Sequence, residues 1–186
     1  MMKKLLSILL TAVLFLTCMP ALAEEVMAAL LPFSLTLPQD VTIQENAGGT
    51  SVTFLHGNGM TRAVAMVLER VPDENGDHAA ALNTLMGQFA PEAENYTPLA
   101  LSEGFYGLLA TTPGALEGVG GARIDQVTIM VLWQTPLEGE LLILSGYDMQ
   151  GETARAWTLV DALTQALTVN GVPVVPPVEE MALPQE

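Results

Sequence analysis

Oxygen-bearing side chains stand at alternate positions in Asp73–His78: they are Asp73, Asn75 and Asp77. Side chains of this type and spacing open a calcium loop, where they converge on one ion. The sixth position of such a loop is normally glycine and is His78 here, and the twelfth, normally glutamate, is Thr84. The segment is more typical of a turn before a helix, capped by the Asp77 carboxylate. Cation binding at Asp73–His78 is therefore kept as an alternative interpretation.

The sequence contains two histidines, His56 and His78, which could join carboxylates in a zinc site. Neither has a second histidine or a cysteine at ligand spacing, so we predict no metal site and no cofactor. Either histidine could also activate a serine, and the candidate nucleophiles are Ser34, Ser51, Ser102 and Ser145. No serine stands in a G-x-S-x-G pattern. A hydrolase is therefore kept only as a minor alternative interpretation.

Carboxylate pairs suited to acid–base chemistry occur at Glu92/Glu94 and Glu138/Glu140, but such pairs arise by chance in a chain with 21 acidic residues. Glycines that could cradle a phosphate are Gly114, Gly118, Gly120 and Gly121. A phosphate loop follows a strand and opens a helix, whereas this loop leads into a predicted strand. We therefore predict no catalytic residues and a protein that is not an enzyme.

Aromatic side chains are the best sequence candidates for a recognition surface, and they are Phe105, Tyr106, Trp133 and Trp157. Trp157 falls between the apolar and polar faces of a predicted helix, so we expect it to be partly exposed. Aromatic side chains also supply much of the apolar area of protein cores. The pattern favours core packing and leaves an aromatic recognition surface as the alternative.

The first 23 residues have the composition of a signal peptide. Two lysines form a basic start, an apolar run of about 15 residues covers Leu5–Met19, and residues 21–23 match a small-x-small cleavage site. The apolar run is shorter than the ~20 residues of a membrane-spanning helix. We expect cleavage after Ala23 and a secreted or extracytoplasmic protein. A lipoprotein anchored through Cys18 and an uncleaved anchor are the alternatives.

The chain that follows the predicted signal peptide has no cysteine, so no disulfide can stabilise it. Without Lys3 and Lys4, four arginines stand against 21 acidic residues, a net charge of −17. Phosphate backbones and anionic lipid surfaces repel so acidic a chain. We therefore exclude nucleic acid as a partner and expect no membrane association after cleavage. The remaining length fits a single domain over residues 24–171.

Alternating apolar residues predict most of the strands. In the first third of the chain the predicted strands are 33–37, with Phe33, Leu35 and Leu37 facing inward, then 41–44, 51–56 and 62–71. A helix is predicted over Ala79–Ala90, and its apolar stripe is Leu82, Leu85, Met86 and Phe89. Strands at 96–101 and 104–111 follow, and then a glycine-rich loop over Thr112–Gly121.

The clearest pattern covers Arg123–Thr168, where we predict a β-hairpin followed by an amphipathic helix. Asp125–Gln134 is apolar on both faces, so this strand is expected in the centre of a sheet. Its hairpin partner is Glu140–Tyr147. The helix stripe is Ala156, Leu159, Val160, Leu163, Ala166 and Leu167, with a polar face that includes Arg155, Thr158 and Thr164. Asn170-Gly171 should end the helix, and four prolines from residue 172 onward predict a disordered acidic tail to residue 186.

The order of strands, helix, strands and helix predicts an α+β fold: a largely antiparallel sheet flanked by two amphipathic helices. Pro32–Pro38, the middle helix and the final helix running into Leu167–Gly171 resemble the PsbP-like superfamily. This group includes the extrinsic photosystem protein, the Ran-binding Mog proteins and bacterial envelope proteins of the DcrB type. The aromatic residue that often follows the first strand's proline is absent, because Gln39 stands after Pro38.

The resemblance implies an α/β/α sandwich and a non-catalytic accessory or binding role. It carries over no site residues, because the superfamily has no shared catalytic motif. Together with the predicted signal peptide, it indicates a secreted module that binds a protein or a cell-envelope component. A small-molecule or cation-binding protein is the alternative, and an undetected hydrolase is the further alternative.

Overall fold

The computed structural model describes residues 28–45, 50–71, 77–93, 96–134 and 139–177. The first strands are β1 (Phe33–Leu35), β2 (Val41–Glu45), β3 (Ser51–His56), β4 (Thr61–Val71) and β5 (Tyr96–Pro98). They are followed by β6 (Phe105–Glu117), β7 (Arg123–Gln134), β8 (Gly139–Asp148), β9 (Leu167–Val169) and β10 (Val172–Pro173). The helices are α1 (His78–Phe89) and α2 (Thr153–Gln165), and short 3-10 turns cover Ala28–Leu30 and Val119–Gly121.

Seven strands form one antiparallel sheet in the order β2-β3-β4-β8-β7-β6-β5. The predicted hairpin of β7 and β8 is confirmed, and β7 lies between β6 and β8, as its two apolar faces require. A small second sheet pairs β1, β9 and β10, also antiparallel. The predicted α+β class, with an antiparallel sheet and two helices, is confirmed.

The two faces of the large sheet form two separate cores. Val127, Ile129 and Val131 of β7 pack against α2 and the small sheet, whereas Met130 and Leu132 pack against α1. This division follows from the two-residue period of a strand. The molecule is therefore a three-layer sandwich, with a helix on each side of the sheet.

Helix α1 begins as predicted, because the Asp77 carboxylate accepts a hydrogen bond from the Ala80 amide at 3.0 Å. Leu82 and Met86 are buried, but Phe89 is 41% exposed, contrary to the predicted stripe. Ala90 takes the buried position instead, since it continues the row of residues four apart that starts at Leu82.

Helix α2 packs across β8, β7 and β4 through Ala156, Leu159, Val160 and Leu163, which are buried as predicted. Thr164 is also buried, although its polarity predicted a place on the solvent face. Its hydroxyl donates to the Val160 carbonyl at 2.7 Å, which satisfies the buried group.

Asn170-Gly171 does not end a helix, so this prediction is wrong. Helix α2 ends at Gln165, and Val169 pairs with Val172 across a two-residue turn. Asn170 and Gly171 have φ of 52° and 80°, as in the tight turns that join antiparallel strands. Both a helix end and such a turn need positive φ, so the Asn-Gly pair alone does not separate them.

The folded part of the chain extends beyond the predicted boundary at residue 171. Val172 and Pro173 form β10, and Val174 is fully buried. The Val174 amide donates to the Leu167 carbonyl at 3.0 Å, and its carbonyl accepts from the Ser102 amide at 2.9 Å. Residues 178–186 of the predicted tail lie outside the described part of the chain.

The predicted glycine-rich loop over Thr112–Gly121 is wrong in its first half, because β6 continues to Glu117. The pairing with β7 shifts register after Thr112, where Pro113 lacks an amide proton and Gly114 has φ of 57°. Asp125 accepts a hydrogen bond from the Gly114 amide at 3.0 Å. Gly114 therefore belongs to an irregularity within the strand, whereas Gly118, Gly120 and Gly121 follow its end.

Two other predicted strands are shorter than expected. The strand at 33–37 ends at Leu35, pairs within the small sheet, and leaves Leu37 38% exposed rather than inward. The strand at 96–101 ends at Pro98, whose missing N–H cannot continue the ladder. The predicted signal peptide and the turn residues 46–49 and 135–138 lie outside the described residues. Within the described residues, no helix is long and apolar enough to cross a membrane.

Candidate functional site

The structure places His56 and His78, the two histidines considered as metal ligands, in different parts of the fold. Asp73 and Asn75 lie outside the described residues, and Asp77 is engaged as the cap of α1. His78 is the first residue of α1, and its ring lies 4.3 Å from that of Tyr106, tilted by 48°. His56 is at the end of β3, in the half of the sheet away from β6. The described ranges contain no group of three or more potential metal ligands.

Two of the candidate serine nucleophiles pair with other hydroxyl groups. Ser145 Oγ lies 3.1 Å from Thr128 Oγ1, and Ser34 Oγ lies 2.9 Å from Thr168 Oγ1. A serine activated for attack instead needs a base such as histidine at this distance. Neither carboxylate pair can be measured, because Glu94 and Glu138 lie outside the described residues.

The aromatic candidates occupy different layers. Phe105 is buried, and Trp133 and Trp157 are half-buried against the core that α2 covers. Tyr106 is the only one of these four with a largely accessible side chain, since 42% of its area is exposed. Phe105 therefore packs in the core, as the sequence pattern favoured. The four aromatic residues do not form one recognition surface.

A groove of about 390 Å³ lies between helix α2 and the β2 edge of the large sheet. It is lined by Pro38, Gln39, Val41, His56, Arg155, Thr158, Leu159 and Ala162. Its volume falls in the range of roughly 300–1,000 Å³ typical of small-molecule sites. Such sites combine apolar walls with a few polar groups, and this lining has the same composition.

One wall of the groove is a stripe of α2. Arg155, Thr158, Leu159 and Ala162 are spaced at i, i+3, i+4 and i+7, which places them along one side of the helix. Leu159 is 3% exposed and belongs to both the core and the groove. Packing of α2 on the sheet therefore also positions this wall.

The opposite wall comes from β2, β3 and the turn before them. Val41 and His56 are direct partners across the β2–β3 pair, and His56 lies on the same face as Val52 and Phe54 by the two-residue period. The turn is fixed by hydrogen bonds from the Val41 amide to the Pro38 carbonyl (3.3 Å) and from the Gly57 amide to the Asp40 carbonyl (3.0 Å).

Arg155 carries the permanent positive charge of the groove. Its Nη1 donates to Gln150 Oε1 at 3.2 Å. The nearby Asp148 accepts hydrogen bonds from the Thr61 hydroxyl (2.7 Å) and from the amides of Gln150 (2.9 Å) and Glu152 (3.4 Å).

Two opposing effects act on the Asp148 carboxyl. Burial favours its neutral form and by itself raises the pKa. The three hydrogen bonds and the charge of Arg155 favour the carboxylate and together outweigh burial, so the pKa lies below its ordinary value. Asp148 is thus ionised, and its hydrogen bonds come from its own turn and from β4.

Sequence reasoning missed this groove because its two walls are distant in the chain. The available signals were His56 as the last inward-facing residue of β3, and the spacing of Arg155, Thr158 and Ala162 beside the core stripe. Each signal alone also fits an ordinary solvent-exposed position.

Comparison with protein-family models finds no match, and comparison with curated proteins finds none either. Among solved structures, LpqN of Mycobacterium tuberculosis, a protein involved in cell envelope biogenesis, is similar with a TM-score of 0.52 and 12% sequence identity. The match covers 74% of this chain and 82% of LpqN. The chain has the LpqN fold.

The Ran-binding protein Mog1p of Saccharomyces cerevisiae is similar with a TM-score of 0.48 and 9% identity, over 74% of this chain and 90% of Mog1p. The similarity to LpqN confirms the expected arrangement of elements at the level of the fold. At 12% identity, the likeness to LpqN concerns the fold alone.

Proposed function

We propose that the protein is an extracytoplasmic, non-catalytic module that binds a protein or a cell-envelope component in the groove between α2 and β2. The observation that supports the proposal is the groove itself, whose lining combines four apolar residues with four polar ones, among them His56 and Arg155 on different walls. A site of this composition can hold and orient a ligand. Of the described residues that were considered for nucleophilic or metal chemistry, His56 is the one that lines the groove.

Two further considerations support the proposal. The signal-peptide pattern of residues 1–23 predicts export, so the partner would be met outside the cytoplasm. LpqN, which has the same fold, is involved in cell envelope biogenesis. The fold is compatible with such a role, and the groove supplies a place for the contact.

Site-specific photo-crosslinking tests this proposal. A photoreactive amino acid at Thr158, which lines the groove, should form adducts when the protein is incubated with a cell-envelope fraction. The same group at Asp161 is the matched control, because Asp161 is exposed on α2 but does not line the groove. We expect adducts from position 158 only.

A second variant blocks the groove. Ala162→Phe adds a large side chain to the lining and should reduce the adducts from position 158 at least tenfold without unfolding the protein, because Ala162 is only partly buried. Equal labelling from positions 158 and 161, or labelling unaffected by Ala162→Phe in a folded protein, would contradict the proposal.

A further inference from the structure

We infer that the groove recognises a carboxylate attached to an apolar body, an inference that rests on the proposed function of the groove as the binding site. The charge distribution points to an anion. After residue 23 the sequence has only four arginines and no lysine, against 21 acidic residues. One of those arginines and a histidine, from different walls, nevertheless line this groove.

Arg155 has donors available for a ligand. A guanidinium has five N–H donors, and within the described residues the hydrogen bond to Gln150 Oε1 uses one of them. The charges of Asp148 and Arg155 attract each other, but the hydrogen bonds that Asp148 accepts come from Thr61 and the amides of Gln150 and Glu152. The planar guanidinium matches the two oxygens of a carboxylate in a bidentate arrangement.

The opposite wall supplies a second hydrogen-bond donor for the ligand carboxylate. His56 is an exposed side chain at the end of β3 that lines the groove, and an imidazole N–H donates to a carboxylate oxygen. The residues that line the groove include no aspartate or glutamate, in contrast to the composition of the chain. A ligand carboxylate would therefore meet donors on two sides and no like charge in the lining.

The remaining lining defines the rest of the ligand. Pro38, Val41, Leu159 and Ala162 provide apolar surface beside the two donors. A volume of about 390 Å³ is at the small end of ligand sites, so it suits one short chain or a pair of apolar side chains. The surrounding excess of negative charge disfavours a phosphate dianion more than a singly charged carboxylate. The geometry thus fits a monoanionic, partly apolar ligand.

Titration calorimetry with acid and amide pairs tests this inference on the protein without its predicted signal peptide. The first pair is octanoate and octanamide, and the second is N-acetyl-leucyl-leucine with a free or amidated C-terminus. We expect the acid of at least one pair to bind tenfold or more tightly than its amide at low salt. The pair that binds distinguishes an acyl chain from a peptide C-terminus as the source of the carboxylate.

Arg155→Gln should remove the preference for the acid while changing the affinity for the amide less than twofold. Arg123→Gln is the charge-matched control, because Arg123 is exposed and does not line the groove. His56→Gln should weaken acid binding by a smaller factor, since the glutamine amide keeps an N–H donor but places it differently from the imidazole ring.

Two results would overturn the inference. The first is equal affinity for acids and amides, or no detectable binding of any of the four compounds. The second is a preference for acids that Arg155→Gln and Arg123→Gln reduce equally, which would indicate a general charge effect. If the adducts at position 158 still depend on an open groove in either case, the proposed function stands and only the ligand assignment fails.

Discussion

At the scale of single residues, Asp148 has the most constrained carboxylate of the described chain. It is 1% exposed, and it accepts hydrogen bonds from two amides of the turn that connects β8 to α2 and from the Thr61 hydroxyl of β4. A buried charge is stable only when it is satisfied in this way. Because the turn sets where α2 begins, Asp148 also helps to position Arg155 in the groove.

Asp148→Asn should lower the free energy of unfolding at pH 7 by about 1–2 kcal/mol, because it replaces charge-assisted hydrogen bonds with neutral ones. The pKa of Asp148 is lowered by folding, so its contribution is fully present above the unfolded-state value near 3.8. The contribution is lost as the pH falls through the lower folded-state pKa. Urea unfolding between pH 3 and pH 7 measures both effects.

Asp161→Asn provides the comparison for Asp148→Asn, because Asp161 is an exposed acid of the same helix region. It should change the free energy of unfolding by less than about 0.5 kcal/mol. Equal stability losses in the two variants, or an unchanged acid dependence in Asp148→Asn, would show that the hydrogen bonds of Asp148 do not stabilise the turn.

At the scale of elements, the close approach of α2 to β8 depends on Gly146. A Cβ atom at this position would overlap Val160 and would lie 3.3 Å from the Ala156 carbonyl oxygen. The absence of a side chain therefore allows the helix to lie directly on the strand.

Gly146→Ala should destabilise the fold by about 1–3 kcal/mol through this overlap. In a Val160→Ala background the same change should cost at least about 1 kcal/mol less, because the clashing methyl group is gone. Urea unfolding of the four proteins in this double-mutant cycle gives the coupling free energy between positions 146 and 160. Additive effects would indicate that Val160 does not limit the approach.

Gly87→Ala is the control for this cycle. Both changes reduce the entropy of the unfolded chain, but Gly87 lies inside α1, where an added Cβ would meet only the Tyr96 hydroxyl at 3.7 Å. It should stabilise the protein by about 0.5–1 kcal/mol. If Gly146→Ala lowers the free energy of unfolding and Gly87→Ala raises it, the helix–strand contact is the cause of the loss.

At the scale of the whole molecule, the proposed function depends on export. When the full chain is made in a bacterium with a secretion pathway, we expect it outside the cytoplasm with Glu24 as its first residue. Intact-mass spectrometry of the exported protein measures this directly. A mass that retains residues 1–23 would support an uncleaved anchor, and a lipid on Cys18 would support the lipoprotein alternative.

Local patterns in the sequence were sufficient for most of the architecture. The two-residue period identified β7 and β8, and the 3.6-residue period identified the buried stripe of α2, because each depends on neighbours along the chain. The same reasoning failed where one signal has two meanings. Asn170-Gly171 joins β9 to β10 rather than ending a helix, and Pro113-Gly114 interrupts a strand without ending it.

The groove forms only through the tertiary structure. His56 and Arg155 are far apart in the chain, and they line the same groove because the sheet order β2-β3-β4-β8 brings the β2 edge beside the helix that follows β8. Sequence periodicity specifies which face of an element is apolar, but not which distant element will cover it. The sequence by itself therefore determined the charge, the predicted export and the fold class, whereas long-range strand pairing determined where a ligand could bind.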